Sequence, residues 1–205
     1  MIWVAVLVAG SSATAAADTL AGYGEFGYRS SRYRGDLGDE FGSSWLGWQL
    51  GGGLRIKQFA IGAALDFHTV ESLDVARHGD SLYQFGFGPE AKLFVGPDVG
   101  TRGYVRLGYR RSWISGDTSV QRLCQDTGQC VAGFWWEEPS YSGNAVRLGV
   151  GIEYIPPGAI KQNFLAAFFL DAGYDIVSHD IIGQETTGGM INLAIGAVIG
   201  GGRLR

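Results

Sequence analysis

Proline is scarce in this chain, with 5 residues in 205, and cysteine and methionine are scarcer still, with 2 each. So little proline excludes a proline-rich stalk or linker. Charged residues make up only 18% and leave a net charge of −4, without a basic block. That excludes the electrostatic footprint of a nucleic-acid binder. No apolar run reaches the roughly 20 residues of a spanning helix. No helical stripe of useful length competes with the strand pattern described below. Two cysteines without a neighbouring histidine do not make a zinc site.

What the chain has instead is glycine, 34 residues of it, and aromatics at 13%. The glycine shows no collagen period and no linker-like clustering, so disorder is a poor reading. Low charge beside many aromatics suits a chain with much surface outside water.

The first residues read as an export signal. Ile2 to Ala9 are apolar, Ser11 and Ser12 follow, and Ala15-Ala16-Ala17 supplies the small-x-small pattern of a signal peptidase site. A signal peptide over residues 1–17 and one domain over 18–205 are therefore expected. Export implies an oxidising compartment, so Cys124 and Cys130 are expected to form a local disulfide.

The dominant signal is alternation. From Phe59 to Thr69, Phe59, Ile61, Ala63, Leu65 and Phe67 share one parity, while Ala60, Gly62, Ala64, Asp66 and His68 share the other. A period of two means a strand. The pattern predicts strands near Gly22–Tyr33, Ser44–Ile56, Phe59–Thr69, Ser81–Val95, Gly103–Trp113, Tyr141–Ile155, Phe164–Val177 and Gly188–Ile199. Short connections (Lys57-Gln58, Gly96 to Arg102, Pro156 to Asn163) alternate with mostly longer, more polar ones at Arg34 to Ser43, Val70 to Asp80, Ile114 to Ser140 and Ser178 to Thr187. The expected fold is an all-β, eight-stranded antiparallel up-and-down transmembrane β-barrel, with both termini on the short-turn side.

One face of these strands is apolar. The other carries Glu25, Arg29, Arg55, Asp66, Glu90, Lys92, Arg106, Arg110, Arg147, Glu153, Asp171 and Asp175, six acids and six bases among small residues. Balanced charge suits a closed interior, because an unpaired buried charge is very costly. Glycine and alanine between the charges suit the narrow lumen of eight strands. Aromatics collect toward the ends of the apolar face, with Trp48, Tyr109 and Trp113 on the long-loop side and Phe59, Tyr154 and Phe164 on the other. Interfacial girdles have this pattern. The charged face is therefore expected inside and the apolar face in lipid. A secreted lipocalin-like barrel would reverse the two faces. By parity Arg32 and Arg111 fall on the apolar face, near its long-loop edge, where they are candidate contacts for lipopolysaccharide phosphates.

A signal peptide, eight amphipathic strands, alternating loop lengths and an ionic interior resemble the small outer-membrane barrels of the outer membrane protein A/X type. The resemblance covers the whole mature chain and implies a monomer in the outer membrane of a Gram-negative bacterium, bathed in lipid and lipopolysaccharide. Such barrels end in an aromatic residue, whereas this sequence ends Gly200-Gly201-Gly202-Arg203-Leu204-Arg205.

Sites for chemistry are few. Asp66 and His68 share a face and invite comparison with the acid–base pair of a lipid hydrolase, but no serine neighbours them in sequence and His78 and His179 fall in loops. The run Gly51-Gly52-Gly53 lacks the helix and lysine of a phosphate loop. No catalytic residue, cofactor or metal site is read. The loop between the fifth and sixth strands carries Phe134, Trp135 and Trp136, a candidate surface for an extracellular ligand. The function expected is structural or surface-interaction, with the lumen closed by ionic contacts and activity in the long loops. The alternatives are a narrow channel for small or apolar solutes, a lipid A acyl hydrolase or transferase, and a lipocalin-like binding barrel.

Overall fold

A row of paired residues can be followed around the sheet and back to the strand where it began. It runs Ala197, Phe26, Leu50, Leu65, Phe87, Arg111, Asn144, Ser178 and Thr187, returning ten residues from its start. The sheet is thus a closed barrel of eight strands with a stagger of ten. Strand spacings of ~3.3 Å along and ~4.8 Å across then give a tilt of about 40° and a bore filled by side chains.

The computed structural model describes residues 20–73, 81–117, 140–157, 164–181 and 184–202. Among them are β1 (Leu20–Gly35), the short helix α1 (Asp36–Glu40), β2 (Ser43–Ser44), β3 (Gly47–Ile56), β4 (Phe59–Val70), β5 (Ser81–Val95), β6 (Gly100–Asp117), β7 (Ser140–Ile155), β8 (Phe164–Ile181) and β9 (Gln184–Gly202). Every pairing is antiparallel. The two-residue β2 pairs with β1 above β3, and β1 pairs with β9 from Ala21↔Gly202 to Gly35↔Gly188 to close the barrel. No backbone edge remains along that seam, which is what a spanning sheet requires.

The eight long strands match the eight expected, but several run further. The polar connection expected over Ser178 to Thr187 is mostly ladder, since pairing continues from Ser178↔Thr187 to Ile181↔Gln184. Polar Ser178 and Asp180 point outward there while Val177, His179 and Ile181 are buried. The sheet continues past the greasy band, and its outer face turns polar. The Arg34 to Ser43 connection likewise holds a helix. Phe41 donates its N–H to Leu37 O at 2.9 Å, and Asp36 and Asp39 lie in the first turn, where they favour the helix dipole.

The outward face is apolar around the whole barrel. Ile61, Val150 and Phe168 are each 61% exposed, and Leu148, Leu193 and Ile195 exceed half. A soluble protein does not leave so continuous an apolar band in water.

Inside, three layers stack along the axis. At the long-loop end Leu37 and Phe41 fold into the mouth against Tyr33, Leu82, Ile114, Val177, Ile181 and Met190. At the short-turn end Ile155, Leu165, Phe169 and Val198 pack beside Phe94, Tyr104 and Tyr23. Charged residues occupy the space between. Glycine makes the lower packing possible. A Cβ at Gly27 would stand 2.7 Å from Phe169 Cζ, and one at Gly196 2.7 Å from Phe169 Cε1.

Candidate functional site

The pleat sends alternate residues inward, and the twelve charged residues of the sequence reading are all buried. Asp66 sits at the centre of the upper group. Its carboxylate lies 2.8 Å from Arg29 Nη1, 3.1 Å from Arg110 Nε and 3.3 Å from Arg147 Nη2. Asp175 holds Arg29 at 2.9 Å and Arg147 at 2.9 Å. Arg110 carries the chain of contacts downward to Glu90 at 2.7 Å. Glu90 also reaches Lys92 at 3.6 Å and Arg106 at 3.5 Å. Arg106 lies 3.1 Å from Glu25 and 3.3 Å from Asp171, and Glu25 pairs with Lys92. Five acids and five bases are thereby joined without interruption, and their formal charges cancel.

Neutral groups add hydrogen bonds to the network. Gln49 donates to Glu25 at 2.9 Å, Tyr104 donates to Asp171 at 2.9 Å, and Asn192 accepts from Arg29 Nε at 3.1 Å and from Ser31 at 2.8 Å. This density is what makes the network tolerable. Each buried ion costs several kcal/mol, of order, unless partners meet its charge and its hydrogen bonds.

Arg55 and Glu153 belong to a second cluster nearer the short turns, 3.4 Å apart. There Arg102 also pairs with Glu153. Arg102 is the buried charge that the sequence reading lacks, because that reading starts the strand at Gly103. Two guanidiniums thus share one carboxylate. They also flank one ring, with Arg55 Cζ 4.1 Å and Arg102 Cζ 4.6 Å from the Phe94 centroid. Cation–π attraction offsets part of the excess positive charge. The space beside this cluster, lined in part by Tyr23, Lys92 and Val198, measures about 10 Å³. That is room for about one water.

Above the ions lies an uncharged polar layer. Gln84 Oε1 accepts from the Tyr33 hydroxyl and hydrogen-bonds His68 Nε2 at 2.9 Å. Asp66 is held by guanidiniums and His68 by an amide, so the two do not work as an acid–base pair. His179 is not the loop residue expected. It is buried in β8, with Nε2 2.9 Å from Ser112 Oγ. A serine beside a histidine resembles half of a hydrolytic triad, but His179 Nδ1 has no hydrogen-bond partner among the described residues. Ser112 is itself 1% exposed, which leaves a substrate no approach. Among the described residues no group of three His, Cys, Asp or Glu is placed to hold a metal ion.

The outer rim separates the two arginines that sequence parity grouped together. Arg111 donates to Asn144 Oδ1 at 3.2 Å and to Ser142 Oγ at 3.1 Å, which ties it to β7. Arg32 instead stands beside Arg34 over a pocket of about 300 Å³. Arg34 was missed because the predicted strand ends at Tyr33. Cys124, Cys130, Phe134, Trp135, Trp136 and His78 lie outside the described residues.

No family model matches the chain, and no curated protein matches it. Solved structures do. The neisserial surface protein A aligns at 13% identity with a TM-score of 0.51, covering 89% of this chain and 96% of that one. Ail, the attachment invasion locus protein of Yersinia pestis, aligns at 13% identity and a TM-score of 0.48, covering 89% and 99%. The N-terminal barrel domain of Pseudomonas aeruginosa OprF aligns at 19% identity and 0.42, covering 88% and 98%. The first of these, together with the closed eight-stranded sheet, decides the architecture. The fold is that of the small outer-membrane barrels. The apolar band is accordingly the lipid-facing surface, in the outer membrane of a Gram-negative bacterium. The ion network lies buried inside this band, and Arg32, Arg34 and Arg111 are exposed on the outer face toward its long-loop end.

Proposed function

We propose that this chain is a monomeric structural or surface-interaction barrel whose lumen is closed, so that activity resides on its outer rim and loops. The neutral network of ten charges carries this reading. It crosses the bore between two apolar layers, and moving an ion through would break several charge pairs at once. Steady single-channel conductance of the purified protein in planar bilayers would overturn it. Bilayers that stay silent while heat-modifiable migration reports a folded barrel are the result expected.

The channel reading is disfavoured by the ionic character of the bore, since a path for apolar solutes calls for a greasy one. A lipid A-modifying enzyme is disfavoured by the burial of Ser112 and His179, the serine–histidine contact described above. Mass spectrometry of lipid A from expressing cells tests that point, with unaltered acylation expected.

Three companions of this reading concern residues outside the described set. Residues 1–17 act as the export signal, Cys124 and Cys130 form a disulfide, and Phe134, Trp135 and Trp136 offer an aromatic surface to an extracellular ligand. Deleting residues 121–138 is expected to abolish adhesion or ligand capture while sparing the barrel. Unchanged capture would remove the loop from the account.

A further inference from the structure

We infer a binding site for the phosphorylated sugar headgroup of an outer-leaflet glycolipid on the flank of β1, clamped by Arg32 and Arg34. The site deepens the surface-interaction reading and rests on it for its setting, but it does not depend on whether the lumen is closed.

The two arginines are two residues apart on one strand, so both leave the same outward face. Both are exposed, and neither forms an ion pair among the described residues. The row Ile191–Arg32–Ser43 sets Arg32 beside an exposed apolar residue of β9, at the upper edge of the lipid-facing band. Together they line the pocket of about 300 Å³, whose lining also includes Asp39 and Glu71. Glu71 is held in place, because its Oε2 accepts the Ser43 N–H at 3.2 Å. Just past Ser43, Trp45 is 74% exposed and Leu46 53%.

This combination selects a ligand class. Two unpaired guanidiniums at the membrane edge suit a phosphate, which they can grip through paired N–H donors. A bare anion would be repelled by Asp39 and Glu71. A phosphate carried on a sugar would not, since the sugar hydroxyls donate to those carboxylates. The volume is at the small end of ligand sites, which begin near about 300 Å³, and fits about one sugar ring. Trp45 and Leu46 supply the apolar contact that acyl chains below the sugar require, with tryptophan at its favoured interfacial depth. Arg111 differs in that two of its donors are engaged by Asn144 and Ser142.

The test uses the full chain in phosphatidylcholine nanodiscs doped with bisphosphorylated lipid A, with retention read by native mass spectrometry. The parent protein is expected to retain lipid A and to release its dephosphorylated form. R32Q/R34Q is expected to bind at least tenfold more weakly, since one charge-assisted contact is worth about a factor of ten. Unchanged heat-modifiable migration shows that the variant folds. R111Q is expected to bind as the parent does. Equal retention by R32Q/R34Q, or equal loss in R111Q, overturns the site. Equal retention of phosphatidylglycerol overturns the sugar assignment, and displacement by excess inorganic phosphate overturns the lipid one. Conductance, which tests the closed lumen, is unaffected by any of these outcomes.

Discussion

Arg29 of β1 and Asp66 of β4 meet at 2.8 Å although β3 lies between their strands. Their contact is a chord through the lumen, and Arg110 and Arg147 reach the same carboxylate from β6 and β7. Removing that acid leaves three buried guanidiniums short of a partner. Asp66→Ala is expected to cost about 3–5 kcal/mol, the usual loss when one member of a buried pair is deleted. Urea titration followed by heat-modifiable migration in vesicles measures it. A loss under about 1 kcal/mol, the value of an exposed pair, would mean that water reaches the site.

Burial also shields the network from salt. Interactions between exposed charges fade once their separation exceeds about 8–10 Å of screening length, while buried pairs do not. Raising sodium chloride from low to molar concentration is expected to leave the urea midpoint of the folded barrel nearly unchanged. A steep fall would place the pairs in open water.

The clamp around Phe169 predicts a second pattern. Gly27→Ala puts a methyl 2.7 Å from Phe169 Cζ and 2.9 Å from Ile195 O, at an expected cost of about 1–3 kcal/mol. Phe169→Leu in the same chain is expected to recover the ring's share of that loss and to leave the backbone's share. Failure of the pair to couple in a double-mutant cycle would locate the strain elsewhere.

Depth in the membrane can be read with a single introduced charge. Leu148→Arg, in the middle of the outward band, is expected to cost about 2–4 kcal/mol, while Asn144→Arg at its edge costs about 0–1. Equal effects at the two positions would mean that the band is not in lipid.

The mouth should respond to loss of its stopper. Leu37 and Phe41 are fully buried, and replacing both by alanine empties the top apolar layer. Limited proteolysis within residues 36–42 is expected to accelerate strongly, while the ionic layer below keeps the bilayer silent. A steady current in this variant would show that the apolar layer alone holds the bore closed.

Much of this was legible in the sequence because a lipid-facing barrel writes its pleat plainly. At Phe59–Phe67 one parity is greasy and the other small or charged, so strand, face and charge set could be read directly. The pattern fades where the outer face leaves lipid. Around Ser178 and Asp180 both parities contain polar residues, and a continuing strand looked like a loop. Arg34 and Arg102 were lost at strand ends for the same reason. The five-residue α1 is too short to show a helical period, so the burial of Leu37 and Phe41 had no local signal. The pairing of Arg29 with Asp66 depends on the ten-residue stagger, which emerges only when eight registers are taken together.

The seam between β1 and β9 has a consequence for assembly. Glu25 and Arg29 enter on the first strand, yet their partners Lys92, Arg106, Asp66 and Asp175 stand on β4, β5, β6 and β8. An unclosed sheet therefore exposes more than a ragged edge, because it also holds stranded charge in a membrane. The β1–β9 ladder satisfies the last backbone groups and the last of these ions in the same event. Closure is checked twice, once by hydrogen bonds and once by charge, and a strand that slips register by one residue turns its side chains to the opposite face and fails the second.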